Sequence, residues 1–282
     1  MKYLFGPVSS RRYGRSLGVD LAVPKTCTLS CLFCQLGPTE HPTVTRSDLP
    51  PIADVLAELD GWAAAGNKAD FITASGSGEP NLHLHLGDVF RWARAHGCRS
   101  LLLSNGSLFT LPEVRRDAAL ADVVKVSLHA WDRASFEAVN RPHPSLSLDA
   151  IVDGYRQFRR EFKGRLDLEV FIVPGFNDQP WQASRIAGLA ETFAPDTISL
   201  NTAIRPAADP SVGALPEAKL AALLPIFGAS AHITGKEPGT TVIPYTEDAL
   251  VALVSRHPVS LDALSVSFGK SQHEMRILLL GL

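Results

Sequence analysis

Short runs of β-branched residues and leucine alternate along this chain with longer stretches of helical spacing, and that rhythm constrains the fold more than any other feature. The runs predict strands at roughly 17–23, 69–75, 99–104, 122–129, 166–173 and 196–201. Helical patterns fall between and after them, at roughly 52–65, 86–95, 148–162, 182–193 and 217–227, with Pro50, Pro112, Pro180 and Pro216 marking helix beginnings. Repeated strand–helix units of this kind specify an α/β protein built on a parallel sheet. The chain is long enough for it: 282 residues, 45% apolar and 20% charged, exclude disordered, collagen-like and small disulfide-stapled classes.

After Phe227 the rhythm breaks. A stretch punctuated by Gly235, Pro238, Gly239 and Pro244 leads into three short helical patterns, Glu247 to Arg256 (stopped by Pro258), Ser260 to Val266 (stopped by Gly269) and Ser271 to Leu282. Ser271 and Glu274 have the spacing of a capping box, and Met275, Leu278, Leu279 and Leu282 share one helix face. The expected organisation is a large unit over residues 1–244 and a C-terminal helical, winged-helix-like module over 245–282. Residues 246–282 carry three Lys or Arg against four Asp or Glu, a net −1, which argues against DNA reading and for docking a partner or closing the sheet.

The whole chain balances 27 Lys and Arg against 29 Asp and Glu, so no global field draws in nucleic acid or an anionic membrane. No apolar run approaches the ~20 residues that span a bilayer, and the first ten residues lack the basic start and apolar stretch of a secretion signal. A cytoplasmic protein is the expectation. Positive charge is concentrated locally: Lys2, Arg11, Arg12, Arg15 and Lys25 against Asp20 give residues 1–26 a net +4, a candidate site for nucleic acid, a phosphorylated small molecule or a peptide carboxylate, or else a solvated arm.

Polar chemistry collects just past the strands. The first leads to cysteines; the second into Gly76, Ser77, Gly78, Glu79 and Pro80; the third ends at Ser104, Asn105 and Gly106; the fourth at Ser127 and His129; the fifth runs into Pro174, Gly175, Phe176, Asn177 and Asp178; the sixth into Asn201, Thr202 and Arg205. Parallel strands present their C-terminal ends on one side, so these clusters imply one large site. Turn and cap chemistry explains a Ser-Asn-Gly or Asn-Asp equally well, His129 fits a buried core position, and Arg205 fits a structural ion pair.

Cys27, Cys31 and Cys34 lie within eight residues, far from Cys98. Such clustering favours metal over disulfide in a reducing compartment. Three thiolates hold three corners of a cubane cluster and leave one iron without a protein ligand. Structural zinc would need a fourth ligand such as His41 or Cys98.

Cys27-x3-Cys31-x-Phe33-Cys34 after a first strand resembles the signature of the radical S-adenosylmethionine (SAM) superfamily, and Gly76-Ser77-Gly78-Glu79-Pro80 is similar to its GGEP motif with Ser for one Gly. Residues 5–36 resemble the wyosine-synthase-like branch. The resemblance, over roughly residues 3–205, implies a partial (β/α)6 barrel and a [4Fe–4S] cluster on Cys27, Cys31 and Cys34. SAM bound to the open iron would be cleaved to a 5′-deoxyadenosyl radical that abstracts hydrogen from substrate. It implies SAM contacts at Phe33, Gly76, Ser77, Gly78, Glu79, Asn105, Ser127 and His129, with Val173 and Pro174 packing on adenine. A low-potential donor such as flavodoxin or ferredoxin would reduce the cluster. Wyosine synthases are expected to bind a second cluster through further cysteines, and none precedes Cys27, so wyosine formation itself is not expected. Arg11, Arg12, Arg15, Lys25 and Arg205 are the candidate substrate contacts, with tRNA or another nucleic acid ranked before a small metabolite or peptide. The rival reading is a non-catalytic iron–sulfur or zinc protein with a partner-binding tail.

Overall fold

The computed structural model describes residues 1–10, 13–234, 242, 245–254 and 259–281. Its frame is one eight-stranded sheet in the order β1-β2-β5-β6-β7-β8-β9-β10. The elements run β1 (Leu4–Ser10), β2 (Gly14–Val19), two-residue strands β3 (Thr26–Cys27) and β4 (His41–Pro42), α1 (Ile52–Ala64), β5 (Phe71–Ala74), α2 (Leu86–Ala95), β6 (Arg99–Leu103), α3 (Pro112–Ala118) and β7 (Val123–Ser127). They continue through α4 (Arg133–Asn140), α5 (Leu148–Glu161), β8 (Arg165–Phe171), α6 (Pro180–Glu191), β9 (Thr197–Asn201), α7 (Glu217–Leu223), β10 (Ala231–Ile233), α8 (Glu247–Val254), α9 (Leu261–Phe268) and α10 (Gln272–Leu280).

From β2 to β10 every pairing in this sheet is parallel. The six strands expected from the sequence form its middle, and one strand is added at each end. The first addition, β1, pairs antiparallel with β2. Pro7 is tolerated there because it lies on an edge strand at an irregularity, the register shifting between Phe5 and Val8. Within the basic segment, Leu4–Ser10 and Gly14–Val19 therefore form an antiparallel pair. Arg11 and Arg12 lie outside the described residues, as do Gly235, Pro238, Gly239, Pro244, Arg256, Pro258 and Leu282. Helix α4 was also missed, because eight residues give little periodicity; its start is fixed by the capping box of Asp132 and Ser135.

Side-chain alternation divides the strands between two environments. Leu17, Ile72, Leu102, Val124, Val126, Leu168 and Leu200 are buried in one core with helix residues such as Val89, Phe90, Ile151, Phe158 and Ile186. On the other face Tyr13, Phe71, Leu101 and Val123 form a separate apolar cluster near the N-terminal ends of the strands. Further along that face the groups are polar: Ser16 bonds Thr73, and Lys125 pairs with Glu169 at 3.0 Å. This inner face leads up to the C-terminal strand ends.

The C-terminal helices have their own core of Ala249, Leu250, Leu253, Leu264, Phe268 and Met275, into which Val8 of β1 packs. Ser260 caps α9, Gly269 ends it in the left-handed conformation, and Ser271 and Glu274 form the expected capping box on α10. No helix among the described residues is long and apolar enough to cross a membrane.

Candidate active site

A cavity opens at the C-terminal ends of β5, β6 and β7. Among its lining residues are Cys27, Cys31, Phe33 and Cys34 from one loop, Ser77, Gly78 and Glu79 after β5, Asn105 after β6, and Ser127 and His129 at the end of β7. Lys25 stands among them, with its Nζ 2.6 Å from Glu40.

The cysteine loop is held at both ends. On one side Gly76 and Gly78 admit close packing that no side chain would survive: a Cβ on Gly76 would sit 2.3 Å from Asp20 Cγ, and one on Gly78 would sit 2.2 Å from the Thr26 carbonyl. Gly76 also has φ of +148°, outside the usual range of other residues. Asp20 accepts from the Ser77 amide, Ser77 O accepts from the Lys25 amide, and Thr26 O accepts from the Glu79 amide. The small residues of this turn thus bring strand ends together; Ser77 and Gly78 line the cavity and Gly76 is not among its lining residues.

On the other side the end of α4 meets the loop. The Ser30 amide donates to the Asn140 carbonyl at 3.0 Å and the Leu32 amide to Val139 O at 3.0 Å. Arg141, at φ +43°, turns the chain so that the His143 amide reaches Thr28 O.

Glu79 is buried and fully engaged. Its carboxylate accepts from the Asn81 amide at 3.0 Å, the Ser104 hydroxyl at 2.6 Å and the Asn105 amide at 2.9 Å. Burial pushes its carboxyl above the ordinary range, and these donors oppose that shift. Glu79 therefore ties the turn after β5 to the loop after β6. Tyr155 on α5 does similar work: its hydroxyl lies 2.6 Å from Asn105 O and 2.7 Å from Ser127 O, sharing one proton between them.

His129 is buried, and its Nδ1 accepts from the Phe171 amide at 2.9 Å. That bond places the neutral ring's proton on Nε2. Burial pushes its pKa down to about 4, so the ring is neutral near pH 7. Phe33 stacks on Phe171 at 4.2 Å between centroids and meets His129 edge-on at 4.7 Å, giving the cavity an apolar wall beside the third cysteine.

Val173 is buried beside Val139, Phe171 and Ala203, and neither it nor Pro174 is among the residues that line the cavity. Asn177 holds this strand end, accepting from the Val173 amide and donating to the carbonyls of His129 and Phe171. Arg205 reaches the cysteine loop, where it donates to Gln35 at 2.7 Å. Arg15 lies at the opposite end of its strand, bound to Asp70 at 3.1 Å, and takes no part in the cavity. The sequence reading missed Asn140, Lys125 and Tyr155. Each looks locally like a helix-end, strand or helix-core residue, and only the cavity reveals its setting.

Burial pushes the Cys27 thiol up to about 12 and raises Cys31 and Cys34 as well. Thiols this deeply buried give up their protons to solvent when a cation takes the proton's place on sulfur, the condition that iron ligation would provide. Among the described residues no group of three or more His, Cys, Asp or Glu is arranged to hold a single metal ion. Cys98 sits at the N-terminal end of β6, away from the cavity, which removes it as a fourth zinc ligand. Three thiols around one cavity fit a cluster better than one ion.

Comparison with known proteins shows the family. The chain is 30% identical over 286 residues to a Brachyspira hyodysenteriae protein named GTPase Obg, a match covering 99% of this chain and 42% of that protein. It is 36% identical over 208 residues to a UPF0026 protein of Synechocystis sp., covering 72% of this chain and 76% of the relative. A weaker similarity, 28% over 209 residues, joins it to a dual-specificity RNA methyltransferase, RlmN, of Syntrophobacter fumaroxidans, covering 67% of this chain and 58% of that one. Its fold is shared with TYW1 with a lysine–pyruvate adduct bound, at TM-score 0.56 and 18% identity, covering 79% of this chain and 75% of the other. The radical SAM superfamily description matches residues 22–185, from the cysteine loop into α6. With more than half its length so matched, the chain belongs to the radical SAM superfamily.

Proposed function

We propose that this radical SAM enzyme holds a [4Fe–4S] cluster on Cys27, Cys31 and Cys34 and binds SAM at the iron they leave open. The observation that carries the reading is the convergence of the three thiols with Ser77, Gly78, Glu79, Asn105, Ser127 and His129 on one cavity. Once bound and reduced by a low-potential donor such as flavodoxin or ferredoxin, the cluster and SAM would supply a 5′-deoxyadenosyl radical that takes hydrogen from the substrate.

The chain's own residues bind, orient and shield. Glu79 and Tyr155 fix the loops that carry Ser77, Gly78, Asn105 and Ser127. His129 contributes a neutral ring with Nε2–H as its donor, and Phe33 with Phe171 keeps water from that side. Lys125 and Glu169 place paired charges on the inner face of the sheet, where a substrate entering from the open side would meet them.

Two observations bear on the substrate. The relative named as an RNA methyltransferase favours a nucleic acid such as tRNA. A small anionic metabolite or peptide is favoured by Arg205, a largely buried guanidinium bonded to the neutral Gln35 beside the cysteine loop. RNA binding measured against salt for wild type and an Arg11, Arg12 and Arg15 triple Ala variant separates them: unchanged binding removes the hairpin from the nucleic-acid reading. Residues 245–282, with their net −1 charge, are assigned to docking a partner protein or closing the sheet.

The test is anaerobic reconstitution with iron and sulfide, addition of SAM and dithionite, and mass spectrometry for 5′-deoxyadenosine. Formation in wild type and loss in Cys31→Ala are expected. An assembled cluster that yields none, with an EPR signal unaltered by SAM, would overturn the reading.

A further inference from the structure

Two side-chain amides point at the cysteine sulfurs. Asn140 Nδ2 donates to Cys31 Sγ at 3.2 Å, and Asn105 Nδ2 lies 3.5 Å from Cys27 Sγ while also donating to Thr28 Oγ1 at 2.8 Å. We propose that Asn140 and, more weakly, Asn105 set the reduction potential of the cluster by hydrogen-bonding the sulfurs of Cys31 and Cys27. The inference rests on the cluster reading above and adds to it two residues outside the cysteine motif.

The surroundings fix the backbone at Asn140 and the amide of Asn105. Asn140 is buried and is the last residue of α4, and its own carbonyl accepts from the Ser30 amide one residue before Cys31. Backbone bonds therefore hold the amide and the sulfur in register, whatever the side chain at 140. At Asn105, Oδ1 accepts from the Ser107 amide at 2.9 Å. An amide that receives an N–H on its oxygen must present its nitrogen on the other side, so the assignment of nitrogen toward Cys27 follows from the network.

Electron density on a reduced cluster spreads onto its thiolate sulfurs, and an N–H donor stabilises that more negative state in proportion to charge, proximity and dryness. Both donors therefore raise the potential and ease the one-electron reduction that starts the chemistry. The bond to Cys31 is shorter and is not shared with a hydroxyl, so it carries the larger effect. Such second partners around metal ligands commonly tune the metal as strongly as the ligands allow.

The test is an EPR-monitored redox titration of the reconstituted full chain, without substrate, beside iron and sulfide content. Asn140→Ala keeps the Ser30 backbone bond; it is expected to hold a full cluster whose reduced-to-oxidised ratio at a fixed potential falls about tenfold, a ~59 mV negative shift for one electron. Asn140→Asp, which keeps the size and puts a negative oxygen near the sulfur, is expected to shift it further. Asn105→Ala is expected to shift it less than Asn140→Ala. A full cluster with wild-type potential in both Asn140 variants would overturn the proposal, and so would loss of the cluster from both in natively folded protein, since the amide would then serve assembly. Failure of wild type to take up a cluster would instead count against the proposed function.

Discussion

The rim of the cavity and the C-terminal helices are stabilised in opposite ways. Around the cavity, buried polar atoms far apart in sequence satisfy one another: Glu79 joins Ser104 and Asn105, and Asn177 joins His129. In the helical tail a small apolar core is closed by caps within three residues of each other, Ser260 on Ala263 and Ser271 on Glu274. The first arrangement gives stiffness and high sensitivity to single changes, because each member lost strands its partners in a dry site. The second gives stability that accumulates from small local terms.

The contrast can be broken at either end. The largest effect is expected from Glu79→Leu, which leaves three donors without an acceptor at roughly 1–3 kcal/mol each. Chemical denaturation should show a loss of several kcal/mol, together with lost SAM binding; a loss under 1 kcal/mol would mean that water replaces the carboxylate and that the rim is not tightly coupled. Met275→Ala empties the centre of the tail core and should cost about 2–4 kcal/mol. Hydrogen exchange should show that loss over 245–281 while SAM cleavage persists; equal deprotection around the cavity would show that the two regions unfold as one.

Smaller still is a pH effect at His129. Its folded pKa near 4 lies below the unfolded value of about 6.5, so the unfolded chain binds the proton first and His129 removes stability as pH falls from about 6.5 to 4. In the metal-free protein, thermal unfolding midpoints of His129→Gln should fall less steeply across that window than those of wild type. Parallel profiles would place the titration elsewhere. The smallest change is expected from Ser271→Ala, about 1 kcal/mol from one lost cap, seen as fraying of α10 by hydrogen exchange with the cavity unaffected.

Much of the molecule was legible before its structure. The periodicity of 166–173 and 196–201 located β8 and β9 because strand burial imposes its pattern on consecutive residues. Ser271, Glu274 and Gly269 announced the limits of α9 and α10 because caps act within a few residues. The cysteine spacing located the loop at the cavity. Where the reading missed, the cause was distance: nothing near Asn140 indicates that a sulfur 109 positions away lies against its amide. Arg15 looked like part of a basic site because sequence counts charge without saying which end of a strand bears it, and Asp70 holds it at the far end.

The sequence by itself determined the strand–helix rhythm, the motif that marks the superfamily and the local closure of the tail, since each depends on residues within a turn or a strand of one another. Only the tertiary structure decided which donors face the sulfurs, that the Glu79 carboxylate takes hydrogen bonds from the loop after β6, and that Val173 is buried beside Val139, Phe171 and Ala203. Those outcomes depend on packing between strand ends brought together by a parallel sheet, and parallel pairing joins residues that the chain separates by a whole helix.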